Sequence, residues 1–414
     1  MRRKIVAGVA LLVILIVGGW LRVDFLRSVE HGMSPDAVNY DTMTRQLLED
    51  GIYAYGDTKP NAKIAPGYPL FLAAVYKLVD YQVHDPLPWV RYVQMLFSLA
   101  SLWLIFRMTK ELSNDIAGLL AAFIAAVYPP LVWANGAVLT EVLGIFFMLA
   151  FIYAQIWTFR APSRRLAFVT GLLLGLTVLV RPEFMPLLLA NYLFYWLWKR
   201  DTKRMLKLFA CSAAGLALVL MPWWVRNVVT LNELVVTATQ ANPFKAGTYP
   251  DKNYDDNLVD PSGKTEMEVA VERLKKGFST QPEVYIKWYT IGKLEHIYGS
   301  AYLGGGHHPY DNILPSAVNP NDFHRWLVFF GLAAALALAC RWKQTATLLV
   351  VIVVTMTLIR LAFVPEYRYN VMSMPLIIIV DCIVVINVLY WSYAKWGRRF
   401  TGKTRGSNDA AFPV

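Results

Sequence analysis

The chain has 414 residues, of which 56% are hydrophobic, 14% aromatic and only 17% charged. A soluble domain of this length cannot hold so much apolar side chain in its core, so the composition excludes a soluble globular protein and indicates an integral membrane protein. The formal net charge of +11 is assigned to the cytoplasmic surface and the anionic lipid leaflet that it meets, which excludes nucleic acid as the expected partner.

Ten apolar runs are long enough to cross roughly 30 Å of hydrocarbon at about 1.5 Å per residue. They lie at residues 5–23, 91–109, 116–134, 141–159, 166–180, 184–198, 206–224, 325–340, 345–363 and 371–392. The pattern predicts an all-α polytopic membrane protein with about ten transmembrane helices. Residues 66–80 form a further apolar stretch that is shorter and contains Lys77, so we expect a helix along the membrane surface there.

Basic clusters set the expected topology. With the amino terminus inside and residues 66–80 not counted as a span, every cluster falls on the cytoplasmic side, as the positive-inside rule requires. The clusters lie at residues 2–4, 107–110, 160–165, 199–207, 341–343 and 395–405. We therefore expect a multi-pass protein of the plasma membrane, the inner membrane in a bacterium, with both termini cytoplasmic. The first apolar run has no small-residue cleavage pattern and is interpreted as a retained anchor.

Two segments on the expected outer face are too long to be turns and are the places where function is expected. They are named here the first loop (residues 24–90) and the long loop (residues 225–324). The remaining units are a transmembrane module of residues 1–230 that includes the first loop, C-terminal transmembrane helices of residues 325–392, and a cytoplasmic tail of residues 393–414. We predict amphipathic helices in both loops, one beginning near Ser34 and one over Thr265 to Lys276.

Acids stand at two predicted outer helix ends. Asp36 and Tyr40 are four residues apart and share a helix face, whereas Asp41 is turned away. Glu141 opens the fourth predicted span after an otherwise uncharged turn. Either acid can also serve only as a first-turn carboxylate that is favoured by the helix dipole.

Five cations lie at outer helix ends although the positive-inside rule disfavours them there: Lys63, Arg181, Arg226, Arg360 and Arg368. Such a group suits an anionic headgroup such as phosphate. The alternatives are snorkelling to the interface, or local ion pairs of Arg181 with Glu183 and of Arg368 with Glu366.

The histidines, the cysteines and Asp381 are weaker indications of function. His307 and His308 follow three glycines, and metal ligation, phosphate contact and solvent exposure all fit them. Adjacent histidines without spaced carboxylates do not predict a metal site, although a divalent metal stays open, and no other cofactor is implied. The three cysteines show neither disulfide nor zinc spacing. Asp381 lies deep in the last apolar run, where we expect it to face the bundle interior with a hydrogen-bond partner.

Six segments together carry a resemblance to a known family. They are DAVNYDTMTRQLLEDG (36–51), APGYPLFLA (65–73), LTEVL (139–143), GLLLGLTVLVRP (171–182), PWWVRN (222–227) and YRYNVMSMP (367–375). In this order and on this side of the membrane, they resemble the GT-C superfamily of polyprenyl-phosphate-sugar-dependent glycosyltransferases. The similar branch is the bacterial one related to protein O-mannosyltransferases and lipid A aminoarabinose transferase.

The resemblance implies a GT-C-like bundle with juxtamembrane helices in the first loop. It implies inverting transfer of a sugar from a polyprenyl-phosphate-linked donor to a lipid, glycan or protein acceptor on the outer face. Asp36 would be the general base and Glu141 a second acid. The expected phosphate contacts are Arg226, Arg368, Arg181 and Lys63, and the expected substrate contacts are Tyr40, Tyr68, Tyr367, His307 and His308. Relatives carry the lysine directly before the proline, where this chain has Ala65.

Three other functions remain open. A polysaccharide ligase or polymerase is the closest in chemistry. A flippase or transporter of lipid-linked sugar without transferase activity would show inverted repeats and polar or broken spans at the midplane, yet the predicted spans are apolar apart from Asp381. A non-catalytic assembly factor would need the bundle but not Asp36.

Overall fold

The computed structural model describes residues 2–302 and 313–401, and the regular elements of these residues are helices. In chain order they are α1 (Arg2–Ser28), α2 (Pro35–Glu49), α3 (Gly67–Val79), α4 (Leu87–Leu112), α5 (Asp115–Val127), α6 (Pro129–Trp133), α7 (Glu141–Arg160), α8 (Arg164–Val180), α9 (Leu187–Lys199), α10 (Thr202–Leu231), α11 (Asn242–Ala246), α12 (Glu266–Thr280), α13 (Pro282–Lys287), α14 (Lys293–Tyr298), α15 (Pro320–Ala339), α16 (Thr347–Leu361) and α17 (Met374–Thr401). Short 3-10 turns at Pro182–Phe184 and Tyr367–Met372 precede α9 and α17.

Each predicted apolar run overlaps a helix, although the run at residues 116–134 is divided between two. Among the described residues, six helices are long and apolar enough to cross a membrane: α1, α4, α7, α10, α15 and α17. The helices α3, α5 and α16 are apolar but shorter. The predicted all-α polytopic bundle is therefore confirmed, while the number of ten crossings stays a prediction. The main apolar core includes Phe25, Ile105 and Met148, which α1, α4 and α7 bring together in the bundle.

The predicted span at residues 116–134 is wrong as a single helix. Its first part is α5, which ends at Val127, and Pro129 and Pro130 start the separate turn α6. Proline lacks the N–H that continues a helix, so the break leaves carbonyl groups without helical partners. The buried guanidinium of Arg22 satisfies two of them, donating to the Ala126 carbonyl at 3.2 Å and to the Leu131 carbonyl at 3.4 Å.

Close packing of α8 on α10 depends on small residues. A Cβ added at Gly171 would lie 1.9 Å from the Ser212 carbonyl oxygen, and one at Gly215 would lie 2.2 Å from the Phe168 carbonyl oxygen. Only glycine permits this approach, as in small-xxx-small contacts between membrane helices. The packing brings the carboxyl end of α8, and with it Arg181, to a defined place at the end of the bundle.

The first loop folds into α2 and α3. As predicted, Ser34 caps α2, since its hydroxyl accepts from the Ala37 N–H at 3.3 Å, and Gly51 follows the helix with a φ of +71°. A Cβ at Gly67 would lie 2.6 Å from the Leu179 carbonyl oxygen, so the start of α3 sits directly against the end of α8. The predicted helix at residues 66–80 is confirmed, and its place along the membrane surface stays a prediction.

The long loop is a layer of short helices rather than a free segment. The predicted amphipathic helix is confirmed as α12, which Thr265 opens with a capping box. The layer docks on the chain after α16: the Lys293 ammonium donates to the Leu361 carbonyl at 2.7 Å and to the Phe363 carbonyl at 3.0 Å. Further along, the Asn370 side chain donates to the Ile297 carbonyl at 3.0 Å. The long loop thus holds the segment that leads into the Tyr367–Met372 turn.

Asp381 on α17 is buried, with 6% of its surface exposed. Neither of its carboxylate oxygens has a hydrogen-bond partner among the described residues, so the expected partner is absent there. Asp381 faces α15, since a Cβ added at Gly331 would lie 3.6 Å from Asp381 Oδ1.

Candidate active site

Asp36 meets an arginine from the far end of the chain. Asp36 is in the first turn of α2, and Arg368 lies in the Tyr367–Met372 turn, 332 residues away. Arg368 Nη2 is 2.7 Å from Asp36 Oδ2. The Asp36 side chain is 41% exposed and that of Arg368 is 26% exposed, so the pair is accessible to a ligand. The acid and one predicted phosphate contact are therefore adjacent.

A tyrosine that the sequence did not single out completes this contact. The Tyr55 hydroxyl donates to Asp36 Oδ1 at 3.3 Å. Burial, and next the charge of Asp36, raise the pKa of Tyr55 to about 12, so the hydroxyl keeps its proton at neutral pH. The Tyr40 ring packs beside it, with ring centroids 5.6 Å from Tyr55 and 5.0 Å from Tyr68. Of the predicted substrate contacts, Tyr40 thus packs against the tyrosine that contacts Asp36, while Tyr68 lies behind Tyr40, buried, with its hydroxyl donating to Gln94 at 2.9 Å.

Glu141 belongs to a second and buried ion pair. Arg181 Nη2 lies 2.6 Å from Glu141 Oε1, and the two side chains are 8% and 5% exposed. Arg181 also contacts Glu183 at 3.2 Å, so their local pairing is confirmed. The alternative pairing of Arg368 with Glu366 is wrong, since Glu366 instead accepts from Lys252 at 2.7 Å.

The two pairs influence each other electrostatically. Burial by itself lowers the pKa of Arg368, but Glu141, Tyr369 and Asp36 raise it above its usual range. Burial likewise lowers the pKa of Arg181, and Glu141 and Glu183 more than offset that effect. Both guanidinium groups therefore stay charged at any physiological pH.

Some of the buried polar atoms in this region lack partners. Glu141 Oε2, Arg181 Nε, Arg360 Nε and Arg360 Nη2 have no hydrogen-bond partner among the described residues. Arg360 reaches Ser373 at 2.7 Å and comes only within 3.9 Å of Glu183. Buried donors in folded proteins are normally satisfied, so unpaired guanidinium N–H groups here indicate capacity for an additional acceptor.

Arg226 makes its contacts with the first loop. It donates to the Asn61 carbonyl at 2.9 Å and to the Tyr53 carbonyl at 3.0 Å. Its guanidinium also lies over the rings of Tyr53 and Trp223, at 5.1 Å and 5.3 Å from their centroids. These contacts fasten α10 to the first loop, and the predicted phosphate contact of Arg226 stays a prediction.

The remaining predicted site residues that the structure describes contact groups other than Asp36. Lys63 is 43% exposed and lies 3.6 Å from Asp57. The Tyr367 ring stacks on His296 with a centroid distance of 6.0 Å. His307 and His308 fall outside the described residues. Within the described ranges, no three His, Cys, Asp or Glu side chains come together in a way that could hold a metal ion.

Similarity to solved structures identifies the fold. Archaeal oligosaccharyltransferase AglB from Archaeoglobus fulgidus, in complex with an inhibitory peptide and a dolichol-phosphate, matches 96% of this chain and 52% of that chain, with a TM-score of 0.55 and 12% identity. The same oligosaccharyltransferase in complex with Zn and sulfate matches 92% of this chain and 50% of that chain, with a TM-score of 0.57 and 12% identity. ArnT from Cupriavidus metallidurans bound to undecaprenyl phosphate matches 94% of this chain and 79% of that chain, with a TM-score of 0.47 and 13% identity.

The similarity to the oligosaccharyltransferase shows that the chain has the GT-C fold, as predicted. Its six long apolar helices, among the described residues, make it a membrane-embedded, multi-pass protein. It spans about half the length of the oligosaccharyltransferase chains that it matches. Residues 63–225 match the family model described as dolichyl-phosphate-mannose-protein mannosyltransferase. This range contains Glu141 and Arg181 but neither Asp36 nor Arg368. A search of curated proteins finds no match to the chain.

Proposed function

We propose that this protein is a glycosyltransferase that moves a sugar from a polyprenyl-phosphate-linked donor to an acceptor on the outer face of the membrane. The accessible pair of Asp36 and Arg368 carries the proposal, because it joins a carboxylate base to a phosphate-binding guanidinium within 2.7 Å. The matched mannosyltransferase family model and the dolichol-phosphate bound to the structurally similar oligosaccharyltransferase support a lipid-phosphate donor.

The proposed reaction inverts the anomeric carbon. The acceptor oxygen attacks this carbon from the face opposite the phosphate, and Asp36 takes the proton of the acceptor hydroxyl as the new glycosidic bond forms. The bond between the anomeric carbon and the phosphate oxygen breaks, and polyprenyl phosphate leaves with one additional negative charge. Arg368 stabilises that charge, and it releases Asp36 as it turns to the phosphate.

The buried pair of Arg181 and Glu141 supports the reaction at the Asp36–Arg368 pair. We assign Arg181 to the departing phosphate, with Glu141 as the second acid that holds Arg181 in place and charged. The unpaired Nε of Arg181 is the donor that remains for an anion. Arg226 and Lys63 are weaker candidates for contact with the phosphate than Arg368 and Arg181. Arg226 already donates to backbone carbonyls, and Lys63 is exposed beside Asp57.

The test is a transfer assay with the full chain in lipid nanodiscs and a panel of synthetic polyprenyl-phosphate hexoses and pentoses. Release of polyprenyl phosphate should depend on Asp36 and fall in Asp36→Asn. Asp41→Asn is the matched control, because Asp41 lies on the same helix but contacts Arg45 and Tyr76 instead. Wild-type release rates in Asp36→Asn would falsify the assignment of the base.

The same preparation separates the proposal from transport. A fluorescent polyprenyl-phosphate sugar is placed in one leaflet of sealed proteoliposomes, and its accessibility is followed together with phosphate release. Movement between leaflets without release, unchanged in Asp36→Asn, would show a flippase and contradict the transferase. Release without movement is the expected result.

A further inference from the structure

The carboxyl-terminal half of the long loop exposes apolar side chains on one side of a helix. Residues 282–298 are helical throughout, since the π-helical turn Trp288–Gly292 joins α13 to α14. Lys287, Ile291 and Leu294 are four and three residues apart, a spacing that puts them on one side of this helix. All three are exposed, Ile291 to 67% and Leu294 to 38%. The proposed transfer reaction assigns these residues no role.

This helical segment lies against the ends of two apolar helices of the bundle. The Tyr298 hydroxyl is hydrogen-bonded to the hydroxyl of Thr357, one turn before the end of α16, at 2.7 Å. His324, near the start of α15, donates from Nε2 to the Tyr298 carbonyl at 2.8 Å. The bond from Lys293 to the Leu361 carbonyl holds the segment at the carboxyl end of α16. The segment is therefore level with the last turns of α16 and the first turns of α15.

The length of α16 determines where this level falls in a bilayer. α16 has 15 residues and is about 22 Å long, which is less than the roughly 30 Å of the hydrocarbon region. Arg341 and Lys343 are exposed and precede α16, so they mark the polar boundary at its amino end. The remaining depth of the apolar region therefore lies at the carboxyl end of α16, where residues 282–298 are docked.

The surfaces of the neighbouring helices at this level have the character of a lipid boundary. Leu358 on α16 is 62% exposed and Trp326 on α15 is 59% exposed, and each lies within two residues of a contact with Tyr298. Tryptophan is enriched where the hydrocarbon region meets the headgroups. Beside Ile291, the stem of Lys287 is long enough to carry its ammonium group to headgroup phosphates. Acyl chains below and phosphates above match both kinds of side chain.

We propose that residues 282–298 form an interfacial helix that binds the bilayer surface. Ile291 and Leu294 lie among the acyl chains of the adjacent leaflet, and Lys287 lies at the headgroup phosphates of that leaflet. The partner is the bulk bilayer and not the sugar donor, so the proposal goes beyond the proposed function and does not depend on it.

This helix also connects the bilayer to the Asp36–Arg368 pair. The Asn370 side chain, in the turn that carries Arg368, donates to the Ile297 carbonyl at 3.0 Å and to the Ser300 carbonyl at 2.9 Å. The depth at which residues 282–298 lie in the bilayer therefore sets the depth of Arg368.

The first experiment measures lipid contact at single positions of the full chain in nanodiscs. Cys211 and Cys340 are replaced by alanine, and Cys382 stays because it is buried. A fluorophore is attached to Ile291→Cys or to Leu294→Cys. Lipids with brominated acyl chains should quench it about twofold or more, since an interfacial helix buries its apolar side about 5–10 Å into the headgroup and acyl boundary.

The matched control is Ser262→Cys, a conservative change at an exposed turn of the same loop. Its fluorophore should be quenched by iodide in the water and not by the brominated lipids. Quenching of the fluorophore at position 291 by iodide alone overturns the proposal, because the helix would then lie in water. Protection from both quenchers shows a cover of protein, from residues 303–312 or from another chain, and overturns it as well. Leu294→Cys provides the same test if Ile291→Cys does not fold.

The second experiment needs no label and no substrate, so its outcome is independent of whether the protein transfers sugar. Ile291→Asp places a charge that lipid disfavours, and it should raise amide hydrogen exchange of residues 288–298 at least about tenfold in nanodiscs. Exchange in the Tyr367–Met372 turn should rise with it, because Asn370 joins the two segments. Ser262→Asp should change exchange less than about twofold, as at an ordinary surface site. An equally small change in Ile291→Asp would show a water-exposed helix and contradict the proposal.

Discussion

Two carboxylate–arginine pairs in this protein have nearly the same geometry and very different surroundings. The Asp36–Arg368 distance is 2.7 Å and the Glu141–Arg181 distance is 2.6 Å. The Asp36 and Arg368 side chains are 41% and 26% exposed, whereas those of Glu141 and Arg181 are 5% and 8% exposed. Distance therefore does not distinguish their roles, and access to solvent and ligand does.

The physical consequence follows from desolvation. The partly exposed pair contributes less to stability than the buried one, so either member can give up the other for a substrate at a lower cost. A buried pair is costly to break, since removing one partner leaves an uncompensated charge in a poorly solvated place. We therefore interpret the exposed pair as the reacting one and the buried pair as the support that holds Arg181.

The largest expected effect concerns Asp36. Asp36→Asn should lower the transfer rate by about 10²- to 10⁴-fold, the usual contribution of a general base, because the amide keeps the shape but cannot take the proton. Its unfolding free energy should change by no more than about 1 kcal/mol, since the Asp36 side chain is 41% exposed. Single-turnover kinetics and thermal unfolding in detergent measure the two effects. A large loss of stability together with the loss of rate would show that Asp36 has a structural role instead.

Arg181→Met should give the next largest effect, on stability. It leaves the buried Glu141 without its ion-pair partner, which costs about 3–5 kcal/mol for a buried pair. Thermal unfolding is compared with that of Arg368→Met, the matched change in the more exposed pair, where a smaller loss is expected. Adding Glu141→Gln to Arg181→Met should recover part of the stability. Equal losses in the two single variants would remove the distinction between the pairs.

Arg368→Lys should affect the donor rather than the fold. Lysine keeps the charge but lacks the planar guanidinium that binds carboxylate and phosphate through two N–H groups. The KM for the lipid-phosphate donor should rise about tenfold, in line with the loss of one charge-assisted hydrogen bond. Arg45→Lys, on the same side of α2 as Asp41, is the control and should leave this KM unchanged. An unchanged KM in Arg368→Lys would move the phosphate contact to Arg181 and Arg360.

Lys63→Ala is expected to have the smallest effect of the series. Lys63 is 43% exposed and its pairing with Asp57 at 3.6 Å is a surface contact, so stability should change by less than about 1 kcal/mol. The donor KM should change less than about threefold. A tenfold rise in the donor KM would show that Lys63 reaches the phosphate and would extend the exposed site beyond Asp36 and Arg368.

Much of the architecture was determined by the sequence alone. Apolar runs of membrane length placed the long helices, because burying a helix in lipid requires continuous apolar side chains. Local capping chemistry placed the start of α2 at Ser34 and that of α12 at Thr265, since these hydroxyls satisfy N–H groups within their own first turn. The pairing of Arg181 with Glu183 could also be predicted from the sequence, because the two residues are close neighbours in the chain.

Only the tertiary structure decided the contacts between distant segments. No local rule relates Asp36 to Arg368, which are 332 residues apart, or Tyr55 to Asp36. The break between α5 and α6 lies in a continuous apolar run, so hydropathy does not show it, although Pro129 and Pro130 mark its position. The sequence also does not show that Arg22 donates to the Ala126 carbonyl at this break. Burial likewise depends on what packs around a side chain, which is why two similar ion pairs acquire different roles only in the folded molecule.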